Sequence, residues 1–237
     1  MRTRGARLKF DNEYYEANSQ DKDRPALAFY SRIWARYISE GPTLEFGCGV
    51  GHLAKRLSKK TKVFGYEINE FARKQIVINA PDVKLIESLS DMDEGSVGSI
   101  VALHVLEHID DHSLEDIGAS FKRILKPGGK LLFVMPNAAG LAHRLKGGQW
   151  SAFSDPTHIN LKSSHEWSDF FETRWRMKVL DKFSDGFYDF PYEKSWGRIF
   201  LFDLFRLGLT ALQFILGTAI LKEHYGENTV YILEKNK

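Results

Sequence analysis

The feature that most restricts this chain's fold is a glycine bend set between a strand and a helix. The run Leu44-Glu45-Phe46-Gly47-Cys48-Gly49-Val50-Gly51 begins apolar and ends in glycines at alternate positions, and a helical pattern starts near His52. Glycine lets the backbone turn tightly and approach a ligand with no Cβ in the way. The helix N-terminus behind the bend offers free N–H groups to a carboxylate or phosphate. An acid, Glu67, closes the next apolar run, Phe64-Gly65-Tyr66-Glu67. It lies about twenty residues past the bend, where a carboxylate reaches both hydroxyls of a ribose. A dinucleotide loop wants its third glycine at the sixth position. Here the sixth residue is His52 and Gly51 is the fifth, which argues against a nicotinamide or flavin site.

Around the bend, apolar runs of strand length alternate with helical spacings. Leu27, Tyr30, Ile33, Trp34 and Tyr37 recur with helical period. Strands are expected at 43–46, 62–68, 83–86, 99–103 and 130–135, with helices at 52–60, 69–79 and 113–125 between them. Lys126-Pro127-Gly128-Gly129 reads as a stop and turn. After Pro136 the rhythm breaks. Residues 138–148 read as a short helix or loop, 163–172 as a helix, 177–183 as a sixth strand and 229–233 as the last. Strands spaced by helices imply right-handed βαβ units. The expected fold is α/β: a doubly wound, mostly parallel seven-stranded sheet with helices on both faces and helical cap elements.

A chain of 237 residues is long enough for one such domain with a buried core. The formal net charge of +2 makes no demand for a nucleic-acid partner. The local excess, Arg2, Arg4, Arg7 and Lys9, reads as a solvated tail, with a phosphate or acidic-lipid anchor as the sharper alternative. A single cysteine, Cys48, excludes an intrachain disulfide and fits a reducing compartment. Charges from Arg2 through Arg24 leave no apolar core for a signal peptide. A cytoplasmic protein is expected. The uncharged stretch between Arg206 and Lys222 falls short of the ~20 residues of a membrane-crossing helix, so none is expected.

Three runs carry a family resemblance. Glu45-x-Gly47-x-Gly49-x-Gly51, followed by Glu67, resembles the first motif and the ribose-binding acid of class I S-adenosylmethionine-dependent methyltransferases of the type 11/23 kind. Ile100-Val101-Ala102-Leu103-His104-Val105-Leu106-Glu107-His108 resembles the family's fourth-strand motif. Phe121-Lys122-Arg123-Ile124-Leu125-Lys126-Pro127-Gly128-Gly129-Lys130-Leu131 resembles the helix, turn and strand that follow it. The resemblance implies S-adenosylmethionine as cofactor and S-adenosylhomocysteine as product. It implies a cofactor loop from Glu45 to Gly51, with Gly47, Cys48 and Gly49 along the methionine part. Glu67 then holds the ribose, Ile68 packs on the adenine, and Leu103 and His104 lie near the amino group and sulfonium. Glu87 or Ser88 stands where the family often has an adenine-binding aspartate. Residues 1–40 become a lead-in and helix, 41–137 the cofactor-binding half, and 138–237 the substrate-side cap with the C-terminal part of the same domain.

A sulfonium is already a good leaving group. The protein must align an acceptor lone pair behind the methyl and exclude water. An acceptor that loses a proton also needs a base, for which histidine is the first choice. The candidates are His104, His108 and His158, with Asp155 placed either to orient His158 or, next to Pro156, to form a turn. His104-x-x-Glu107-His108 puts three ligand-type side chains on one helical face. With His158 folded over it, this is a candidate divalent-metal site. It is similar to the site of metal-assisted methyltransferases of small RNAs and quinone rings, which carry glutamate at the His104 position. The favoured expectation is no metal, with Glu107 and His108 structuring the turn after the fourth strand.

The late apolar segment, 199–221, covers most of a helix circumference. It is expected to pack as a buried cap over the active site or as a homodimer seam. The alternatives are peripheral contact with a membrane and a pocket for a long apolar substrate. Pro136-Asn137, Trp150, Asp155 to His158 and this segment loosely resemble methyltransferases of bacterial polysaccharide and lipid-linked glycan pathways. The expected function is methyl transfer to oxygen of a small-molecule or lipid- or sugar-linked acceptor. The alternatives are an RNA or protein methyltransferase and a non-catalytic binding module.

Overall fold

A central strand covered by helices on both faces is buried on both sides, and β1 (Thr43–Phe46) is buried along its whole length. In the computed structural model, which describes residues 22–236, β1 pairs in parallel with β2 (Val63–Tyr66) and β4 (Val97–Leu103). β3 (Lys84–Ile86) continues the sheet beyond β2, and β5 (Leu125–Pro136) continues it beyond β4. The last strand, β7 (Asn228–Lys235), inserts antiparallel between β5 and β6 (Met177–Ser184). The order is β3-β2-β1-β4-β5-β7-β6. The sheet is therefore the mostly parallel, seven-stranded one expected. The basic cluster Arg2, Arg4, Arg7 and Lys9 lies outside the described residues.

Alternation along the strands divides the core into two faces. Ile100, Leu131 and Phe133 point to the face covered by α4 (Asp111–Ile124) and α6 (Ser164–Thr173), where Phe121, Trp167, Phe171 and Trp175 are buried. Val101, Leu132 and Val134 point to the other, covered by α1 (Pro25–Tyr37), α2 (His52–Ser58) and α3 (Glu70–Asn79), with Phe29, Ile33, Trp34, Leu53 and Ile76. Each fully buried Leu or Phe here contributes about 1.5–3 kcal/mol. Helix starts follow capping chemistry. Asn69 and Asp110 accept N–H groups of the first turns of α3 and α4, and Ser163 with Glu166 forms a capping box on α6. A short α5 (Leu141–Lys146) fills part of the region read as helix or loop.

Some boundaries differ from the expectation. β4 begins at Val97, before residue 99, and β5 already at Leu125. Val97 pairs with Leu125, the ladder is interrupted, and Ser99 pairs with Lys130. The Lys126–Gly129 turn is thus an excursion inside a strand. α4 starts at Asp111, earlier than 113, because Asp110 supplies the cap.

The late helix, α7, runs from Trp196 to Leu216 with a π turn over Ile199–Asp203. Gly217 in a left-handed conformation ends it well before 221. The length and the burial of this segment both differ from the expectation. Its 21 residues are long and apolar enough to cross a membrane, because the helix begins upstream of Arg206 and keeps the paired Arg206 and Asp203 within it. Nor is it a buried cap, since only 17% of its most apolar window is buried.

Candidate active site

Ligands of doubly wound sheets bind beyond the carboxyl ends of the strands where the strand order reverses. In this sheet that point lies between β1 and β4, and a cleft of about 340 Å³ opens there. Its walls include Glu45, the bend from Gly47 to Gly51, Glu67, Ile68, Leu103, His104 and His108. Of the sequence-derived cofactor residues, Glu87, paired with Arg73, lies off the cleft, and so does Ser88. Ser88 caps a turn at Leu89–Asp91.

The bend is built as the glycines imply. Gly47 and Gly51 have φ of +74° and +89°, values that L side chains rarely adopt. A Cβ on Gly47 would meet Val105 at 2.5 Å, and one on Gly51 would meet Ile76 at 2.3 Å. The Gly49 N–H donates to Glu67 Oε2 at 2.8 Å, and the Asn69 N–H donates to Oε1 at 2.9 Å. The bend and the acid therefore lie within a hydrogen bond of each other, on one cleft. Burial raises the Glu67 pKa above the ordinary carboxylate value despite these N–H groups. Ile68 projects at the rim, 72% exposed.

Glu45 is buried, and its pKa is pushed well up by burial and by the neighbouring Glu67. Its Oε2 has no hydrogen-bond partner among the described residues. A buried carboxylate oxygen left unsatisfied on a cleft wall fits a cationic ligand group. The bend, Glu67 and this orphaned oxygen are together suited to the amino-acid ammonium and the ribose of S-adenosylmethionine. Burial also raises the Cys48 thiol, so it lines the loop as an inert neutral group.

Beyond Leu103 the backbone turns sharply, and His104 takes a positive φ of 54°, a conformation uncommon outside glycine. Its Nδ1 lies 3.3 Å from Oε1 of the fully buried Glu107. Interaction with His104 and His108 outweighs the burial of Glu107 and keeps its pKa low.

His108 also faces the cleft, and its ring centroid lies 4.7 Å from that of His158. The expected Asp155–His158 pairing is loose, with Oδ2 and Nε2 3.9 Å apart, and His158 Nδ1 instead sits 2.7 Å from the Ala152 carbonyl. Asp155 reaches His108 through another residue. The Thr157 hydroxyl donates to Asp155 Oδ1, so it accepts from His108 Nδ1–H at 2.8 Å. That relay fixes the tautomer of His108 with its lone pair on Nε2. Burial lowers the His108 pKa, which favours the neutral ring. Asp155 and His158 do not themselves line the cleft.

Sequence reasoning missed two parts of this region. Arg24 and Leu27, at the start of α1, line the cleft, brought there by helix packing that no local motif announces. Past β6, the buried Asp185 accepts from Tyr30 Oη at 2.5 Å and from Asn228 Nδ2 at 2.8 Å. An aspartate just past a sixth parallel strand was the available signal.

Comparison with known proteins agrees with this geometry. Residues 17–174 match the family model described as a methyltransferase domain. No protein of curated function matches the chain. Among solved structures, a SAM-dependent methyltransferase from Archaeoglobus fulgidus is similar at 15% identity and TM-score 0.61, covering 95% of this chain and 100% of its own. A SAM-dependent methyltransferase from Thermotoga maritima is 19% identical with TM-score 0.62, over 94% and 98% of the two chains. One from Methanosarcina mazei is 18% identical with TM-score 0.58, over 86% and 97%. At such identities the structural likeness speaks for the fold. The family match carries the rest: the chain belongs to the methyltransferase-domain family. It is a class I methyltransferase with S-adenosylmethionine as methyl donor.

Proposed function

We propose that this methyltransferase acts on a hydroxyl of a small-molecule or lipid- or sugar-linked acceptor. The observation that carries this reading is the placement of His108. Its ring faces the cofactor cleft and is oriented through Thr157 by Asp155. A hydroxyl must surrender its proton as it is methylated, and a depressed imidazole with Nε2 free of its proton can take it. When bound, the cofactor supplies an activated methyl on a sulfonium. Glu45 would hold its ammonium and Glu67 its ribose, while Gly47 to Gly51 pack along its amino-acid part. Leu103 and His104 would lie near its amino group and sulfonium.

A screen of hydroxyl and amine acceptors with methyl-labelled cofactor tests this. Label on oxygen, lost in His108→Ala, supports the reading. Label on nitrogen with His108→Ala unimpaired overturns it.

A second reading has one observation in its favour. Ligand atoms of Glu107, His108 and His158 all lie within 4.8 Å of one another. Both histidines point Nδ1 at oxygen acceptors, which is how metal-ligating imidazoles are oriented. A divalent cation there would polarise the acceptor oxygen instead. Metal analysis of protein prepared without chelator, beside His158→Ala, separates the two. Stoichiometric metal lost in the variant favours the cation.

A further inference from the structure

We propose that the outward face of α7 docks on an anionic lipid surface, with the helix lying in the plane of the membrane. The helix is amphipathic in the inverted sense. Its inward stripe is polar, at Asp203, Arg206, Thr210 and Gln213, a spacing of three and four residues that defines one face. Arg206 bonds Asp203 and Glu193. The Thr210 hydroxyl accepts the Phe187 N–H. Gln213 donates to the Ser184 carbonyl and accepts from the N–H groups of Ile220 and Leu221. Off that stripe the helix exposes Trp196, Phe200, Phe205 and Ile215, by 88%, 74%, 64% and 74%. A helix on a water-facing surface shows the reverse arrangement, and a contiguous apolar patch of this kind marks an interaction surface.

Charge selects the partner. Between Glu193 and Lys222 the acids are Glu193 and Asp203, both buried and both bonded to Arg206. The charged side chains left exposed are all basic: Lys194 just before the helix, Lys222 six residues beyond its end, and Arg198, which pairs with Glu193. A second copy, packed in either orientation, would set these cations against one another. Anionic headgroups complement them, and a tryptophan beside the apolar face suits the headgroup layer.

Topology selects the pose. α7 joins β6 to β7, which are hydrogen-bonded neighbours in the sheet, so both ends of the helix must stay on the same side of a bilayer. One crossing is therefore excluded despite the helix length.

The docked face is coupled to the cleft. The Phe214 ring stacks on Phe29 of α1 at 4.7 Å, and Arg32 of α1 donates to the Phe214 carbonyl at 2.6 Å. The first turn of α1 lines the cleft. An acceptor anchored in the same membrane is the chemistry this layout serves. That consequence rests on the methyl-transfer reading, whereas the docking does not.

Flotation of the full chain with vesicles tests the proposal, using phosphatidylcholine alone and phosphatidylcholine mixed with phosphatidylglycerol. The protein is expected to float with the mixed vesicles, less with the neutral ones, and less as salt rises. Phe200→Ser/Phe205→Ser/Ile215→Ser should reduce partitioning about tenfold or more, and Lys194→Glu/Lys222→Glu should reduce it on the mixed vesicles alone. These positions are exposed, so unchanged thermal unfolding and cofactor binding by calorimetry certify the variants as folded. Wild-type protein that stays soluble with every vesicle overturns the proposal. So does a solution dimer that the triple substitution dissociates, since the face then belongs to a second copy. Cofactor binding is read separately, so loss of docking with that binding intact sinks only the docking.

Discussion

The Gly49 N–H donates to the Glu67 carboxylate at 2.8 Å, so the bend after β1 and the end of β2 are set against each other across one strand spacing. Asn69 at the start of α3 occupies the second carboxylate oxygen. The acid is thus oriented from both sides by backbone groups before any ligand arrives. Such preorganisation lowers the ordering cost of binding.

Removing that acid should weaken the cofactor more than it weakens the fold. Glu67→Ala deletes a charged acceptor for the ribose hydroxyls, a loss of about 2 kcal/mol or about thirtyfold in affinity. Glu67→Gln keeps the shape and some acceptor capacity and should fall between. Calorimetry with S-adenosylmethionine checks both. An unchanged dissociation constant in the alanine variant would contradict the ribose assignment.

Glu45 makes a prediction about protons. Burial and Glu67 hold its pKa well above the ordinary carboxylate value, so the free cleft favours the protonated form. A cofactor cation beside it pulls that pKa back down, and the proton leaves. Binding measured in buffers of different ionisation enthalpy should show proton release, greatest between the bound and the free pKa of Glu45 and falling away as pH rises above the free one. Glu45→Gln should abolish the pH-dependent part. Equal release from wild type and variant would assign the proton elsewhere.

What the sequence disclosed follows the range of the interactions involved. The bend, the acid and the strand–helix alternation depend on neighbours within a few tens of residues, and they were legible. Which histidine Asp155 orients was not, because it reaches His108 through Thr157, 49 residues from His108. Nor was the Tyr30–Asp185 bond, which spans 155 residues. α7 is an intermediate case. The polar spacing of Asp203, Arg206, Thr210 and Gln213 is in the sequence, but only the fold shows that this stripe faces inward.

The relay on His108 should appear in the pH profile. Burial lowers its pKa, so the ring stays neutral to a lower pH than an unperturbed histidine, whose value is about 6.5. The acid limb of kcat/KM is expected below that value. Thr157→Val removes the hydroxyl that holds Nδ1–H, and should lower kcat by about ten- to a hundredfold while changing KM little. His108→Ala should remove the limb altogether, whereas His158→Ala, which does not line the cleft, should leave it in place. A limb that survives in His108→Ala would identify another base.

Asp185 gives the clearest stability prediction. Its carboxylate satisfies the buried Tyr30 hydroxyl and the Asn228 amide. Asp185→Ala leaves both without that acceptor and should destabilise by about 2–3 kcal/mol. Burial raises the Asp185 pKa above its unfolded value near 3.9. The sign follows: its contribution is fully present below the unfolded value and is lost as pH rises through the folded one. Asp185→Asn keeps an acceptor oxygen without the titration. Its stability should vary less with pH across that window than the wild type's, and urea unfolding at a series of pH values measures the difference. Parallel curves for the two proteins would mean that Asp185 stays ionised throughout, held so by Tyr30 and Asn228.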